Sequence, residues 1–459
     1  ENGAPSVSPS DRGRYDAVVM GGGPAGEVTL ERLAAQGLRV ALVERELVGG
    51  ECAYWACIPS KTLLRAPEVR AEAQRVAGIE RPRQRWAEMA AYRDYMIRNL
   101  DDSEQVQGYR DEGIDVYRGE ARIAGPATVQ AGDHTLSTDR IVVATGSDPA
   151  IPPIQGLAEL GFWTNREATT LKELPASIVI LGGGPVGVEL GQMLARFGVG
   201  VTLIQEDERL IAREDPAVGE LIEAVLREDG VDVRVSAHAE SVTRAEGTYR
   251  VGLAGGAQAH GSELLVATGR RPRTDRIGLE SVGIEPGERG IEVDERCRAG
   301  DGVWAVGDVT GVMTFTHVGK YQGRIAAADI AGQPVRASYD AIPRVVFSDP
   351  EVAAVGLTTD RARERGIDLA SSRVKLPEVI ARPWIYEQDP GGELGLLADR
   401  QRQLLVGAWA VAPLAGEWIH HAALAIKANI PLAVLRDTVA QFPTFTEAYL
   451  KALEALEPA

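Results

Sequence analysis

Tyr15–Gly26 reads YDAVVMGGGPAG, and Ser177–Gly187 reads SIVILGGGPVG. Each is a short β-branched apolar run that meets G-x-G-x-x-G, at Gly21, Gly23 and Gly26 in the first copy and Gly182, Gly184 and Gly187 in the second. A helix-compatible stretch follows each, Glu27–Gln36 and Val188–Phe197, and then a further apolar run, Arg39–Glu44 and Gly200–Gln205. Strand, glycine turn, helix, strand is the opening of a dinucleotide-binding unit, so its repetition predicts an α/β chain with two Rossmann-like domains. One such glycine pattern is a weak signal; two, each between a strand and a helix, are specific. The glycines let backbone approach a pyrophosphate, and the helix N-terminus attracts its charge.

The remaining chain fits around these units. Glu68–Asp111 has helical periodicity, Val116–Val143 is β-rich, and Pro149–Pro153 reads as a crossover into the second unit. After that unit, short strands alternate with turns as far as Asp308. From about Tyr339 strands such as Arg344–Phe347 and Leu404–Ala410 alternate with helices such as Ala415–Asn429, enough for a separate α/β domain. The 459 residues suit roughly three domains.

With 44% hydrophobic and 25% charged residues, the composition is that of a soluble globular protein. No apolar run approaches the roughly 18–20 residues that span a bilayer. Glu1–Arg14 is polar, lacks the apolar centre of a signal peptide and reads as a disordered lead-in, so a cytoplasmic location is expected. A net charge of −17 argues against nucleic-acid or anionic-membrane partners.

Three cysteines are too few for a disulfide scaffold. Cys52 and Cys57 are five apart, which is not a usual zinc spacing, and no second ligand pair accompanies them, so no metal is expected and a redox pair is the leading use. A disulfide needs Cα atoms within about 7 Å, whereas residues five apart on a regular helix sit farther off. Cys52 is therefore expected in a distorted first turn with Cys57 inside the helix, where the positive helix end favours a thiolate. Cys297 reads as inert packing.

These residues resemble a family. Gly49–Lys61, GGECAYWACIPSK, is similar to the redox motif of the class I pyridine nucleotide–disulfide oxidoreductases, which include dihydrolipoamide dehydrogenase and the glutathione, mycothione and mercuric reductases. Ala144–Gly146 and Ala267–Gly269 match the paired Ala-Thr-Gly turns, Val303–Asp308 the second FAD motif, and Arg344–Gly356, RVVFSDPEVAAVG, the start of a dimerisation domain.

The resemblance implies FAD, a nicotinamide and a homodimer. It divides the chain into FAD-binding segments 15–152 and 277–338, an NAD(P)-binding domain 153–276 and an interface domain 339–459, after the 1–14 lead-in. Cys57 would face the flavin and Cys52 exchange with a small thiol or disulfide substrate. Lys61 would approach flavin N5 and pair with Glu189, stabilising reduced flavin. Around FAD it implies Gly21, Gly23, Pro24, Ala25, Gly26, Gly50, Ala144, Thr145, Gly146, Gly307 and Asp308. Around the nicotinamide dinucleotide it implies Gly182, Gly184, Val186, Gly187, Thr268 and Gly269.

Glu44 ends its strand 18 residues beyond Gly26 and suits the FAD ribose hydroxyls. Its counterpart is Gln205, followed by Glu206, Asp207 and Glu208, an acidic run that disfavours a 2′-phosphate and so favours NADH over NADPH. Arg209 pulls the other way. Tyr54 and Trp55, between the cysteines, are bulkier than relatives generally carry, and read equally as substrate contacts or packing.

One departure matters most. The family closes with His-Pro-Thr-x-x-Glu, the histidine coming from the partner subunit to serve as acid–base for the exchanging thiol and the glutamate orienting it. Here the segment is Phe442-Pro443-Thr444-Phe445-Thr446-Glu447, with no histidine after His421. A positioned acid–base is worth about 10²–10⁴-fold. Three explanations stand: the acceptor is a quinone, metal ion or oxygen that needs no such proton; His317, His420 or His421 substitutes; or a proton donor is excluded, as in 2-ketopropyl-coenzyme M oxidoreductase/carboxylase, which has phenylalanine here and cleaves a C–S bond. That enzyme replaces the glutamate with histidine, whereas Glu447 is retained. His420 and His421 are adjacent and point about 100° apart on a helix, so they do not chelate together readily. There is no C-terminal cysteine pair of the mercuric-reductase kind. The cysteines, Lys61 and both glycine loops argue against a binding protein that merely retains FAD.

Overall fold

The apolar runs that precede the glycine loops become central strands of two parallel sheets. The computed structural model describes residues 13–456. They form two compact units: one takes residues up to 59 with 94–150 and 270–338, and the other takes 60–93, 151–269 and the residues from 339 onward.

In the first unit six strands lie in the order Arg298–Gly300, Val303–Ala305, Ile141–Val143, Ala17–Met20, Val40–Glu44, Asp115–Arg118. All neighbours run parallel except the first pair. Ala17–Met20 is apolar at every position because both faces are covered. Ala17 and Val19 pack with Leu30 and Leu33 of the helix Pro24–Ala34. Val18 and Met20 pack on the other side with Ile123 and Val129. Each buried valine, leucine, isoleucine or methionine among them contributes about 1.5–3 kcal/mol.

The second unit repeats the plan with four parallel strands in the order Asp232–Arg234, Gly200–Ile204, Ser177–Leu181, Glu263–Val266. Ile178 and Ile180 pack with Leu190 and Met193 of the helix Pro185–Arg196, while Val179 and Leu181 pack with Tyr249 and Val251. The same unit holds an antiparallel sheet in the order Arg344–Val346, Glu351–Gly356, Leu404–Ala412, Glu393–Asp399, Leu369–Lys375.

Three local expectations are corrected. The stretch after the second glycine unit holds a 13-residue helix, Pro216–Glu228, besides strands and turns. Its start was legible: the Asp215 side chain accepts from the Ala217 N–H, and proline takes the first helical position, where its missing N–H costs nothing. The helices after the glycine loops begin at Pro24 and Pro185, three residues earlier than expected, for the same reason. The expected disordered lead-in, 1–14, lies outside the described residues as far as residue 12. Gly13, which accepts from the Ser137 N–H at 2.7 Å, and Arg14, which bridges Ser137, are paired to a strand. Among the described residues no helix is long and apolar enough to cross a membrane.

Candidate functional site

Both glycine loops are shaped by contacts that only glycine tolerates. Gly21 and Gly182 have φ of +107° and +110°, and a Cβ would lie 2.3 Å from the Ala144 oxygen and 2.4 Å from the Ala267 oxygen. Each Ala-Thr-Gly turn thus lies against the first glycine of its own loop. The middle glycines differ: the nearest atom to a Cβ at Gly23 is 4.0 Å away, and nothing lies within 4 Å at Gly184. Each is the N-cap of its helix and has no side-chain cap. Open space over an uncapped helix N-terminus fits a pyrophosphate, whose oxygens would take the free N–H groups.

At the strand ends the copies match. Glu44 Oε2 accepts from the Gly22 N–H at 2.7 Å, and Gln205 Oε1 accepts from the Gly183 N–H at 2.6 Å. Gln205 Nε2 also donates to Asp207 at 2.6 Å, and His238 sits 2.9 Å from Glu206. Arg209 donates to the Ala212 carbonyl at 3.4 Å and lies 4.0 Å from Asp360. Asp308 accepts from the Ser147 hydroxyl at 2.6 Å, and Arg270 Nε donates to that hydroxyl at 2.7 Å. The Gly307 N–H donates to Gln322 at 2.7 Å.

The cysteine segment begins against the first loop: a Cβ at Gly50 would lie 2.7 Å from Gly23 Cα. Here the expectation for the helix is corrected. Cys52 lies in its own short helix, Gly50–Tyr54, which breaks at Trp55 (φ −134°), and Cys57 opens the next helix, Cys57–Arg75, rather than lying inside it. The break brings together two residues that a continuous helix would hold apart. Both are free thiols and half-buried, and Cys57 is the largest influence on the Cys52 thiol. Thr316 Oγ1 is 3.4 Å from Cys57 Sγ. The bond to Cys57 and then burial push the Cys52 thiol well above its ordinary range, while the Thr316 hydroxyl and the Lys320 charge pull it back. Tyr54 is buried and donates to the Val48 carbonyl at 3.1 Å, so it packs; the half-buried Trp55 ring lies 5.7 Å from it. Cys297 is buried in the apolar core with Leu30 and Trp304.

Lys61 Nζ pairs with Glu189 at 2.7 Å, the carboxylate side chain being only 5% exposed. The other Glu189 oxygen accepts from the Phe347 N–H at 2.9 Å, and the Phe347 ring lies 4.8 Å beneath Lys61 Nζ. At the C-terminal segment Phe442 is 72% exposed. Glu447 Oε2 is buried with no hydrogen-bond partner. His317 stacks on Phe315 at 5.2 Å; His420 is exposed; His421 packs 4.7 Å from the Tyr449 ring, and burial lowers its pKa. Among the described residues no cluster of three His, Cys, Asp or Glu is arranged to hold a metal.

The sequence reading named most of these side chains but missed Thr316, Phe347, Ser147 and Arg270. Thr316 stands beside His317 in sequence, so the segment was in view. Nothing local signals that its hydroxyl meets a sulfur 259 residues away.

Comparison with known proteins gives the family. Residues 15–330 match the profile described as pyridine nucleotide-disulphide oxidoreductase, and residues 342–453 match the dimerisation domain of the same description. The chain is 31% identical to a mercuric reductase of Staphylococcus aureus over 452 residues, covering 96% of this chain and 82% of that one. It is 32% identical to a dihydrolipoyl dehydrogenase of Thermus scotoductus over 455 residues, covering 96% and 97%. Among solved structures, the HOCl-induced flavoprotein disulfide reductase RclA from Escherichia coli superimposes with a TM-score of 0.85 at 29% identity, covering 96% of this chain and 99% of that one.

Proposed function

Since the chain belongs to the pyridine nucleotide-disulphide oxidoreductase family, and is thus a flavoprotein disulfide oxidoreductase that uses FAD and a pyridine nucleotide, we propose that it passes electrons from NADH to the Cys52–Cys57 pair and on to a small disulfide. FAD, when bound, carries electrons between the nicotinamide and the sulfur pair. The observation that carries this reading is the helix break at Trp55, which sets two half-buried thiols side by side against the first glycine loop.

We assign segments 15–152 and 277–338 to FAD and 153–276 to the nicotinamide dinucleotide. Gly23 to Gly26 and Gly50 hold the FAD pyrophosphate, Glu44 the ribose, and Asp308, held by Ser147, the ribityl chain. Lys61, fixed by Glu189 and Phe347, supplies positive charge for reduced flavin. Gly184 to Gly187 receive the second pyrophosphate. The carboxylates of Glu206 and Asp207 repel a 2′-phosphate, and Arg209, engaged by Ala212 and Asp360, does not offset them. Segment 339–459 makes a homodimer. A kcat/KM for NADH at least about tenfold above that for NADPH is expected, a difference of ~1.4 kcal/mol; equal values would contradict the assignment of Glu206 and Asp207.

Cys52 is the exchanging thiol. NADH oxidation driven by cystamine should vanish in Cys52→Ala while FAD stays bound; undiminished turnover would remove the cysteines from the path. A second reading, C–S cleavage with carboxylation, draws on Phe442 alone, and the retained Glu447 weighs against it.

A further inference from the structure

Three consecutive residues ahead of the helix Ser103–Asp111 turn left-handed: Arg98, Asn99 and Leu100 have φ of +52°, +51° and +60°. Asparagine tolerates this region, whereas arginine and leucine each lose roughly 1–2 kcal/mol there. Such strain persists only where the surroundings hold it, and it concentrates at functional sites. The turn delivers Asp102 to the N-cap of the helix. An aspartate there ordinarily accepts from the helix's own N–H groups, but Asp102 makes no such bond. Its buried carboxylate reaches the cysteine segment instead, 54 residues away in sequence: Oδ2 accepts from the Val48 N–H at 2.6 Å and from the Arg118 guanidinium. Arg118 also donates to the Glu46 carbonyl at 2.5 Å. Val48 is held at both of its backbone groups, because the Tyr54 hydroxyl donates to its carbonyl at 3.1 Å. Gly49, next in the chain, donates to the Gly22 carbonyl at 2.7 Å, and Gly50 then starts the Cys52 helix against Gly23. Tyr54 closes that helix one residue before the break that leads to Cys57.

We propose that Asp102 is a positioning residue for the redox pair: together with Tyr54 it fixes Val48, so that the Cys52 helix starts against the first glycine loop and ends where Cys57 can meet Cys52. The inference rests on the reading of Cys52 and Cys57 as the electron-accepting pair. Asp102 acts through the backbone of Val48 and not on the sulfur atoms themselves. Its charge is met by Arg118, so the buried carboxylate is paired as well as hydrogen-bonded. The diverted cap and the left-handed turn each cost the local fold stability, and both serve to place this one carboxylate. A displacement of the cysteine helix by about 1 Å is enough to slow electron transfer to the sulfur pair about 10²-fold.

The test compares two NADH-driven activities of the FAD-replete holoenzyme, one with cystamine through the cysteines and one with ferricyanide, which takes electrons from reduced flavin. A merely structural residue would lower the melting temperature and leave the cystamine-to-ferricyanide ratio alone. Asp102→Ala should lower that ratio about tenfold or more, and with it the thiolate-to-flavin absorbance per bound flavin. Asp102→Asn keeps an acceptor for the Val48 N–H and should stay within about twofold of wild type. Tyr54→Phe deletes one hydroxyl from a ring that stays packed, and should lower the ratio in the same direction even if Asp102→Ala fails to fold. Ratios and absorbance unchanged in both Asp102→Ala and Tyr54→Phe, with only the melting temperature reduced, would overturn the inference. So would a fall in Asp102→Asn as deep as in Asp102→Ala. If cystamine turnover survives undiminished in Cys52→Ala, the redox-pair reading itself fails instead.

Discussion

Glu447 Oε2 is buried without a hydrogen-bond partner, and Phe442, five residues earlier in the chain, is exposed. If Glu447 orients an imidazole supplied by Phe442→His, turnover with cystamine should rise about 100-fold, the lower end of the ~10²–10⁴ available to positioned acid–base catalysis. No gain would show that proton delivery does not limit the reaction. A complementary change removes one half of a pair: Lys61→Met leaves the Glu189 carboxylate, 5% exposed, without its cation. Flavin reduction by NADH should slow and the melting temperature should fall, whereas Glu189→Gln with Lys61→Met should recover the stability but not the rate, because removing a buried charge together with its partner is tolerated. Reading the sequence reached Cys52, Cys57, Lys61 and Glu189 because they lie in recognisable motifs. It missed Thr316 and Phe347, which act through contacts to Cys57 and Glu189 that only folding creates.

Within each glycine loop the geometry separates folding from binding. A Cβ at Gly187 would lie 1.9 Å from the Gly182 oxygen, while at Gly184 it would meet nothing. Gly187→Ala should therefore cost about 1–3 kcal/mol or more through backbone displacement. Gly184→Ala should leave thermal stability nearly unchanged and raise the KM for NADH about tenfold, ~1.4 kcal/mol of lost pyrophosphate contact; comparing melting temperatures with KM values checks both. The helix Pro24–Ala34 carries a further signature. Burial raises the Glu27 carboxyl to about 7, with neighbouring Glu31 adding to it and Tyr109, Lys320 and Arg98 opposing. A raised carboxyl pKa stabilises the fold while the group is neutral, and that contribution is lost as pH climbs from the ordinary carboxylate range through about 7. Glu27→Gln should match the wild type near pH 5 and melt higher than it at pH 8; the reverse order would contradict the buried-carboxyl account. The strands around both loops were legible as β-branched runs. The helix Pro216–Glu228 was readable from Asp215-Pro216 but lay inside a stretch dominated by strand-like segments, and the Trp55 break goes with a close approach of the Tyr54 ring to Gly49 that no local pattern announces.

Across the whole molecule, the second unit leaves Leu424, Val434, Val439 and Phe442 more than half exposed, at 58%, 52%, 92% and 72%. They lie in the matched dimerisation domain, which makes them candidates for burial in a homodimer. If that surface closes a homodimer, Leu424→Lys should shift the mass seen by light scattering from dimer toward monomer. The overall plan was legible because a repeated strand–loop–helix–strand pattern constrains topology strongly; the acceptor was not, because it depends on the few side chains that meet Cys52. The central claim is the route from nicotinamide through flavin to the sulfur pair. Anaerobic titration of the oxidised holoenzyme with NADH tests it directly. The expected result is a long-wavelength thiolate-to-flavin absorbance that needs Cys57, followed on adding cystamine by flavin reoxidation that is lost in Cys52→Ala. Absence of the long-wavelength band, together with reoxidation as fast in Cys52→Ala as in the wild type, would contradict it.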